Sequence, residues 1–141
     1  MTNSSAEEYM SLALALAEEA AASGEVPIGC VIVDEAGRVI GRGRNRREVS
    51  RNALAHAEIE AVDMACRARN SWRLQGCSAY VTLEPCPMCL GAFRAARIDR
   101  VFFGVSNINP GAVGREPRIQ GGIMEQQCGD ALSAFFKLKR Q

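Results

Sequence analysis

The chain has 141 residues, 48% of them hydrophobic, and a net charge of +1; this is the size and composition of one globular domain and excludes a disordered or fibrous chain. Its apolar runs are too short to cross a bilayer, and the opening MTNSSAEEYM has no basic segment, so we expect no membrane span, no signal peptide and a cytoplasmic location. The charge is unevenly spread: residues 1–35 carry seven acids and no base, residues 36–51 carry six arginines against Glu48, and the tail adds Lys137, Lys139 and Arg140. Arginine outnumbers lysine fifteen to two, and its planar fork suits phosphate. Nucleic acid is therefore a partner to consider, although read alone the pattern fits a solvated basic strand and a charged helix end better.

In chain order, residues 5–23 read as a helix. Ser5 and Glu8 have capping-box spacing, Met10, Ala13, Leu14 and Ala17 share a face, and Gly24 ends it. PIGCVIVD and RVIGRGRN read as two strands of a hairpin around a turn at 34–37. From His56 to Ala68 the period is helical, with Ile59, Val62 and Cys66 on one side, and SAYVTL (78–83) is a short strand. Pro85 holds Glu84 extended, while Pro87 suits the first position of a helix that runs to about Ala96 with Cys86 as its N-cap. RVFFGV is a further strand. Residues 105–120, with Pro110, Gly111, Gly114 and Pro117, read as a loop leading to a short edge strand. Glu125–Leu138 is a closing helix with Cys128, Leu132, Phe135 and Phe136 inward. No repeat or linker interrupts the chain, so residues 1–141 are expected to form one α/β domain, its sheet partly parallel and covered on both faces.

Six cysteines (30, 66, 77, 86, 89 and 128) suit a disulfide framework only in an oxidising compartment, and four of them read as small core residues. The segment LEPCPMCLGA (83–92) is different. Cys86 and Cys89 lie three apart at a helix start and project from one face, where free N–H groups favour thiolate. Such a pair suits a soft divalent cation, zinc being the usual choice. The single histidine, His56, stands at another helix start, with Glu58 two positions on. If the two helix starts face each other, His56, Cys86 and Cys89 form three corners of a tetrahedron. Three protein ligands leave a fourth position for water, the mark of a catalytic zinc, and such a water reaches a pKa of about 7. Glu58, beside the metal but not on it, can carry the proton. The alternatives are a redox pair, which the proline–methionine spacer disfavours, and a closed structural zinc, for which none of the other four cysteines is paired at ligand spacing.

HAE (56–58) together with PCPMC (85–89) resembles the H-x-E…P-C-x-x-C pattern of the zinc-dependent cytidine and adenosine deaminases. EVPIGCVIVD, GRGRN, AHAEIEA, YVTLEPCPMCLGA, RIDRVFFG and LSAFFKLKRQ extend the resemblance nearly end to end, to the bacterial tRNA-specific adenosine deaminases. Those enzymes convert the wobble adenosine of a tRNA to inosine. The resemblance implies a three-layer α/β/α cytidine-deaminase-like fold with a five-stranded mixed sheet, one zinc per subunit between two helix N-termini, and a homodimer. It assigns His56, Cys86 and Cys89 to the metal and Glu58 to proton transfer. It assigns Asn45, Val26, Ala55 and Glu84 to the flipped base, and Phe135, Phe136, Lys137 and Arg140 to a helix along the RNA. Arg46 and Arg47, within the arginine-rich 42–51 segment, are then expected on phosphates around that base.

The implied partner is a tRNA anticodon loop, whose unpaired bases are the kind that proteins read in RNA; no membrane is involved. Residues 105–120 are shorter than the corresponding family stretch, and Asn107 stands where the family has an aspartate that would accept a ribose hydroxyl. Asparagine weakens that demand for RNA, which makes single-stranded DNA a further substrate to test. Two other readings stay open. A guanine or other small-nucleobase deaminase fits PCPMCLGA equally well but has no use for the basic tail and arginine cluster. A non-catalytic, zinc-stabilised RNA-binding partner would not need Glu58.

Overall fold

The computed structural model describes residues 3–106 and 118–139. Helix α1 (Asn3–Ala22) begins two residues earlier than expected, so Ser5 lies within the helix and does not cap it. Its C-terminus closes as a Schellman turn: the Gly24 N–H donates to Ala21 C=O and the Glu25 N–H to Ala20 C=O, with Gly24 at φ +82. Ala13, Ala17 and Ala20 are buried, whereas Leu14, expected inward, is 50% exposed. The reason is close approach. Gly29, the first residue of β1 (Gly29–Val33), sits so near the helix that a Cβ there would lie 2.0 Å from Ala13 O, which turns the small residues of α1 toward the sheet.

The hairpin of β1 and β2 (Val39–Arg44) forms as expected, antiparallel, with Gly29 opposite Arg44 and Val33 opposite Val39. Its turn is tied by Asp34, whose Oδ1 accepts from the N–H groups of Ala36 and Arg38 and whose Oδ2 accepts from the Arg38 guanidinium. On its other side β1 pairs antiparallel with β3 (Ser78–Leu83). The chain then crosses through α4 (Pro87–Ala95) to β4 (Arg100–Val105), which pairs parallel with β3. The strand order is β2-β1-β3-β4.

Among the described residues the sheet therefore has four strands, not the five expected. Residues 118–122 form no strand, and the 107–117 part of the expected loop and edge strand lies outside the described residues. Within 118–122, Gly121 and Gly122 bring no side chain to pack against a neighbouring strand.

The three-layer arrangement holds. α1 covers one face, over Val31, Val33 and Tyr80, where the Tyr80 ring stacks on Phe102 at 4.8 Å and meets Tyr9 at 5.2 Å. On the other face Cys30, Ile32, Ala79 and Val81 pack against α3 (Ala57–Arg69) and against Phe93 and Ala96 at α4. α3 meets the sheet through Ala57, Ala61 and Ala65; Ile59, Val62 and Cys66, expected inward, are only half-buried at its flank. Gly41 and Gly43 of β2 again explain this, because the space a Cβ would fill is taken by the backbone of Ala61 and Ala57.

Two helices depart from expectation. A four-residue helix, α2 (Arg47–Ser50), stands in the arginine-rich segment, where none was expected. The closing helix α5 (Glu125–Lys139) is present, but Cys128, Leu132, Phe135 and Phe136 are exposed. Its apolar period was readable; what that stripe meets is not a property of the period. Among the described residues no helix is long and apolar enough to cross a membrane.

Candidate metal centre and active site

The carboxyl ends of the parallel pair β3 and β4, the start of β1 and the end of β2 converge on one rim of the sheet. From the end of β3 the chain passes through Glu84 and Pro85 to Cys86, which is the extended N-cap of α4 with Pro87 at the first helical position, as expected. Cys89 follows on the next turn. His56 is the N-cap of α3. The two helix starts face each other: His56 Nδ1 lies 3.8 Å from Cys86 Sγ and 3.5 Å from Cys89 Sγ, and the three ligand atoms all fall within 4.8 Å of one another.

Ordinary Zn–S and Zn–N bonds at a tetrahedral angle separate sulfur from nitrogen by roughly 3.6 Å, so both separations fit. The donor set, two sulfurs and an imidazole, is one that zinc favours. Glu58 adds a second observation. It is 3% exposed, and its Oε1 has no hydrogen-bond partner. A buried carboxylate oxygen left unpaired is costly, and such groups persist where they serve chemistry. These residues fit one zinc ion.

The electrostatics agree. Burial and the nearby Arg47 charge push the His56 pKa down, so the ring is neutral near pH 7, the form that binds metal. Burial raises Glu58, against the pull of its own N–H and of Cys89, so it holds a proton more readily than an ordinary carboxylate. Cys89 is driven far up by burial, then by the charges of Glu58 and Cys86. This corrects the expectation that the helix start alone favours thiolate. The dipole loses to desolvation, and it is a cation that makes this sulfur ionise.

Of the other expected residues, Asn45 is buried next to the cluster. Its Oδ1 accepts the Ala57 N–H at 3.0 Å and its N–H donates to Ile28 O at 3.2 Å. With Oδ1 committed to the first turn of α3, the amide NH2 is what Asn45 has to offer a substrate. Ala55, half-buried, immediately precedes His56 and its carbonyl accepts the Arg46 N–H. Glu84 is half-buried and its N–H donates to Val105 O, tying the exit of β3 to the end of β4. Val26 is exposed. Arg46 is held by Glu60 at 2.7 Å, and Arg47 is exposed. Phe135 and Phe136 meet edge to face at 5.5 Å on α5, exposed like Lys137, and the structure does not gather them with the metal ligands. Asn107 and Arg140 lie outside the described residues.

Sequence reasoning missed Glu25 and Glu60. Both act on the arginine-rich segment from other elements, Glu60 on Arg46 and Glu25 on the N–H groups of Glu48 and Val49. Glu25 and its partners are 23 and 24 residues apart, so no local spacing announced the contact.

Comparison with known proteins agrees with this geometry. Residues 3–105 match the family of the cytidine and deoxycytidylate deaminase zinc-binding region. The chain is 41% identical to a tRNA-specific adenosine deaminase of Bacillus subtilis (strain 168), over 96% of this chain and 91% of that one. It is 38% identical to a tRNA-specific adenosine deaminase of Haemophilus influenzae, over 96% and 85%. A solved structure from work on A-to-I editing by tRNA:A34 deaminases at the wobble position of transfer RNA shares 45% identity and a TM-score of 0.71, covering 78% of this chain and 84% of that one. A guanine deaminase from Bacillus subtilis shares 30% identity and a TM-score of 0.78, covering 96% and 94%. With a two-cysteine, one-histidine cluster at facing helix starts, a buried glutamate beside it and relatives matched along nearly the whole chain, the protein belongs to the cytidine and deoxycytidylate deaminase zinc-binding family, among its tRNA-specific adenosine deaminases.

Proposed function

We propose that the protein is a zinc-dependent hydrolase that converts adenosine to inosine at the wobble position of a tRNA anticodon. The observation that carries this is the unpartnered Oε1 of buried Glu58 beside the His56–Cys86–Cys89 cluster, in a chain so similar to tRNA-specific adenosine deaminases. When bound, zinc supplies the Lewis acidity that makes water a nucleophile near neutral pH. Glu58 takes up the proton at Oε1 and donates it to a ring nitrogen of adenine, which makes C6 electrophilic. It then delivers a proton to the departing amine, so that one water is consumed and one ammonia released. Its raised pKa suits a group that must both accept and give a proton.

The Asn45 amide contacts the flipped base, with Val26, Ala55 and Glu84 around it. Arg46 and Arg47 hold the flanking phosphates, and Phe135, Phe136, Lys137 and Arg140 lie along the RNA. The anticodon loop offers a base already outside a duplex, which lowers the cost of extruding it. Asn107, in place of an aspartate, extends the proposal to single-stranded DNA. A homodimer is supported by an apolar cleft of about 460 Å³ between α3 and α4, lined by Ile59, Val62, Cys66, Trp72, Ala92 and Ala95; sedimentation tests it. The cytoplasm goes with a tRNA substrate as part of the same proposal.

A second reading, deamination of guanine or another small nucleobase, is favoured by the structural likeness to the guanine deaminase over 96% of the chain. One experiment separates the readings. The zinc-loaded protein is incubated with an anticodon stem-loop RNA, the matching DNA hairpin and a panel of free bases, and products are read by mass. Inosine in the RNA is the expected result. Turnover of free bases with no reaction in either hairpin overturns the tRNA reading, and an inert DNA hairpin beside a fully reacted RNA removes the extension to DNA.

A further inference from the structure

We propose that Glu25 is a positioning residue: its buried carboxylate fixes the α2 turn, and through it aims Arg47 at the substrate strand. This rests on the assignment of Arg47 to substrate phosphate made above.

Helix α2 is too short to hold itself. α2 has four residues, fewer than a stable isolated helix needs by a wide margin. Its own N-cap, Arg46, makes no side-chain cap bond. The N–H groups that an N-cap side chain normally satisfies are those of the second and third helical residues, here Glu48 and Val49. Both are taken by Glu25, at 3.2 Å to Oε1 and 2.7 Å to Oε2. A carboxylate is the best acceptor for this place, because it accepts twice and its charge complements the helix start.

Glu25 is itself immobilised. It is 6% exposed, and its N–H is the last bond of the Schellman turn that closes α1. The end of a twenty-residue helix is thereby joined to a four-residue one. The coupling matters because of what the turn carries. Arg47 is its first residue, exposed, and makes no ion pair among the described residues; the residue before it, Arg46, donates its N–H to the carbonyl of Ala55, the neighbour of His56, which sets the turn beside the metal ligands. Arg46, by contrast, is held by Glu60. Among the described residues no side chain pairs with Arg47, so its aim depends on the backbone of the turn, to which Glu25 is the side-chain anchor.

The test compares Glu25→Ala, Glu25→Gln, Arg47→Ala and the double variant Glu25→Ala/Arg47→Ala, on the stem-loop RNA, with zinc content and melting recorded. Glu25→Ala is expected to raise KM roughly tenfold, the scale of a lost helix cap. It should change kcat far less and flatten the dependence of KM on salt. Glu25→Gln, which keeps one acceptor, should fall between. Because Glu25 acts through Arg47, the double variant should be no worse than Arg47→Ala alone. Independently of substrate, the amides of Glu48 and Val49 should exchange faster in Glu25→Ala.

Unchanged exchange at those amides, or additive effects on KM, overturns the proposal, as does a Glu25→Ala protein that loses zinc or cooperative melting. An unchanged KM in Arg47→Ala overturns the phosphate assignment and the route claimed for Glu25 with it. A raised KM in Arg47→Ala beside an unchanged KM in Glu25→Ala overturns the role of Glu25 alone.

Discussion

Replacing Gly43 by alanine tests what holds the centre in place. Gly43 lies in β2 beneath the first turn of α3, and a Cβ there would stand 2.1 Å from the Ala57 carbonyl oxygen and 2.7 Å from the Ala61 nitrogen. Ordinary contact begins at 3.4 Å, and both obstacles are backbone, so no rotamer change relieves them and the helix start must retreat by about 1.3 Å. Ala57 stands between His56 and Glu58, which means that one member of the metal cluster and the proposed proton carrier move together. Overpacking of this kind costs about 1–3 kcal/mol, and backbone obstacles place it in the upper part of that range. The stiffer unfolded chain of the alanine variant returns only about 0.4–1 kcal/mol. A net loss of about 1–2.6 kcal/mol remains, and a fall in melting temperature of roughly 3–9 °C follows for a domain of this size. A displacement of about 1 Å at reacting groups is worth about 100-fold in rate. Melting by circular dichroism, zinc content by chelator titration and kcat/KM on the stem-loop RNA measure all three. A Gly43→Ala protein that melts within about 2 °C of the parent and keeps its zinc and its turnover would refute the claim that the seating of α3 sets the site.

Glu58→Ala should keep one zinc and a normal melting temperature while kcat falls by at least about 100-fold; a normal rate removes Glu58 from the mechanism. Cys89→Ala should lose the metal as well, and stoichiometric zinc in that variant, by elemental analysis, contradicts the ligand assignment. Gly91→Ala, in the interior of α4 where a Cβ meets nothing within 4 Å, should stabilise the protein by about 0.5–1 kcal/mol, and a lowered midpoint in denaturant would count against an open position there. For Asp34, burial raises the carboxyl, but hydrogen bonds from the Arg38 and Ala36 N–H groups and from the Arg38 side chain outweigh it and hold the pKa below the usual range. Its stabilising contribution is therefore whole above a pH of about 3.9 and is lost as the pH falls through the lower folded value. Asp34→Asn should flatten the acid limb of stability against pH, and equal acid limbs in the two proteins would show that Asp34 does not contribute to it.

The metal-binding residues were legible in the sequence because their chemistry is local. Cys86 and Cys89 are one helical turn apart, Pro87 marks where that turn begins, and Glu58 follows His56 at a fixed step. The hairpin around Asp34 and the mixed, helix-covered sheet were legible for the same reason, as were the extents of most helices. What those residues determine by themselves is which atoms are available to hold a cation and on which helix ends they stand. Tertiary structure decided the rest. Periodicity turned Ile59, Val62 and Cys66 of α3 inward, but the glycines of β2 let the helix come so near that its alanines face the sheet. The helix start promised a thiolate at Cys89, but burial beside Glu58 reverses that until a cation is present. The turn that carries Arg47 has no local reason to be helical; a carboxylate more than twenty residues away supplies one. Each of these depends on how closely two distant segments approach, and approach distance and desolvation leave no period or spacing along a chain.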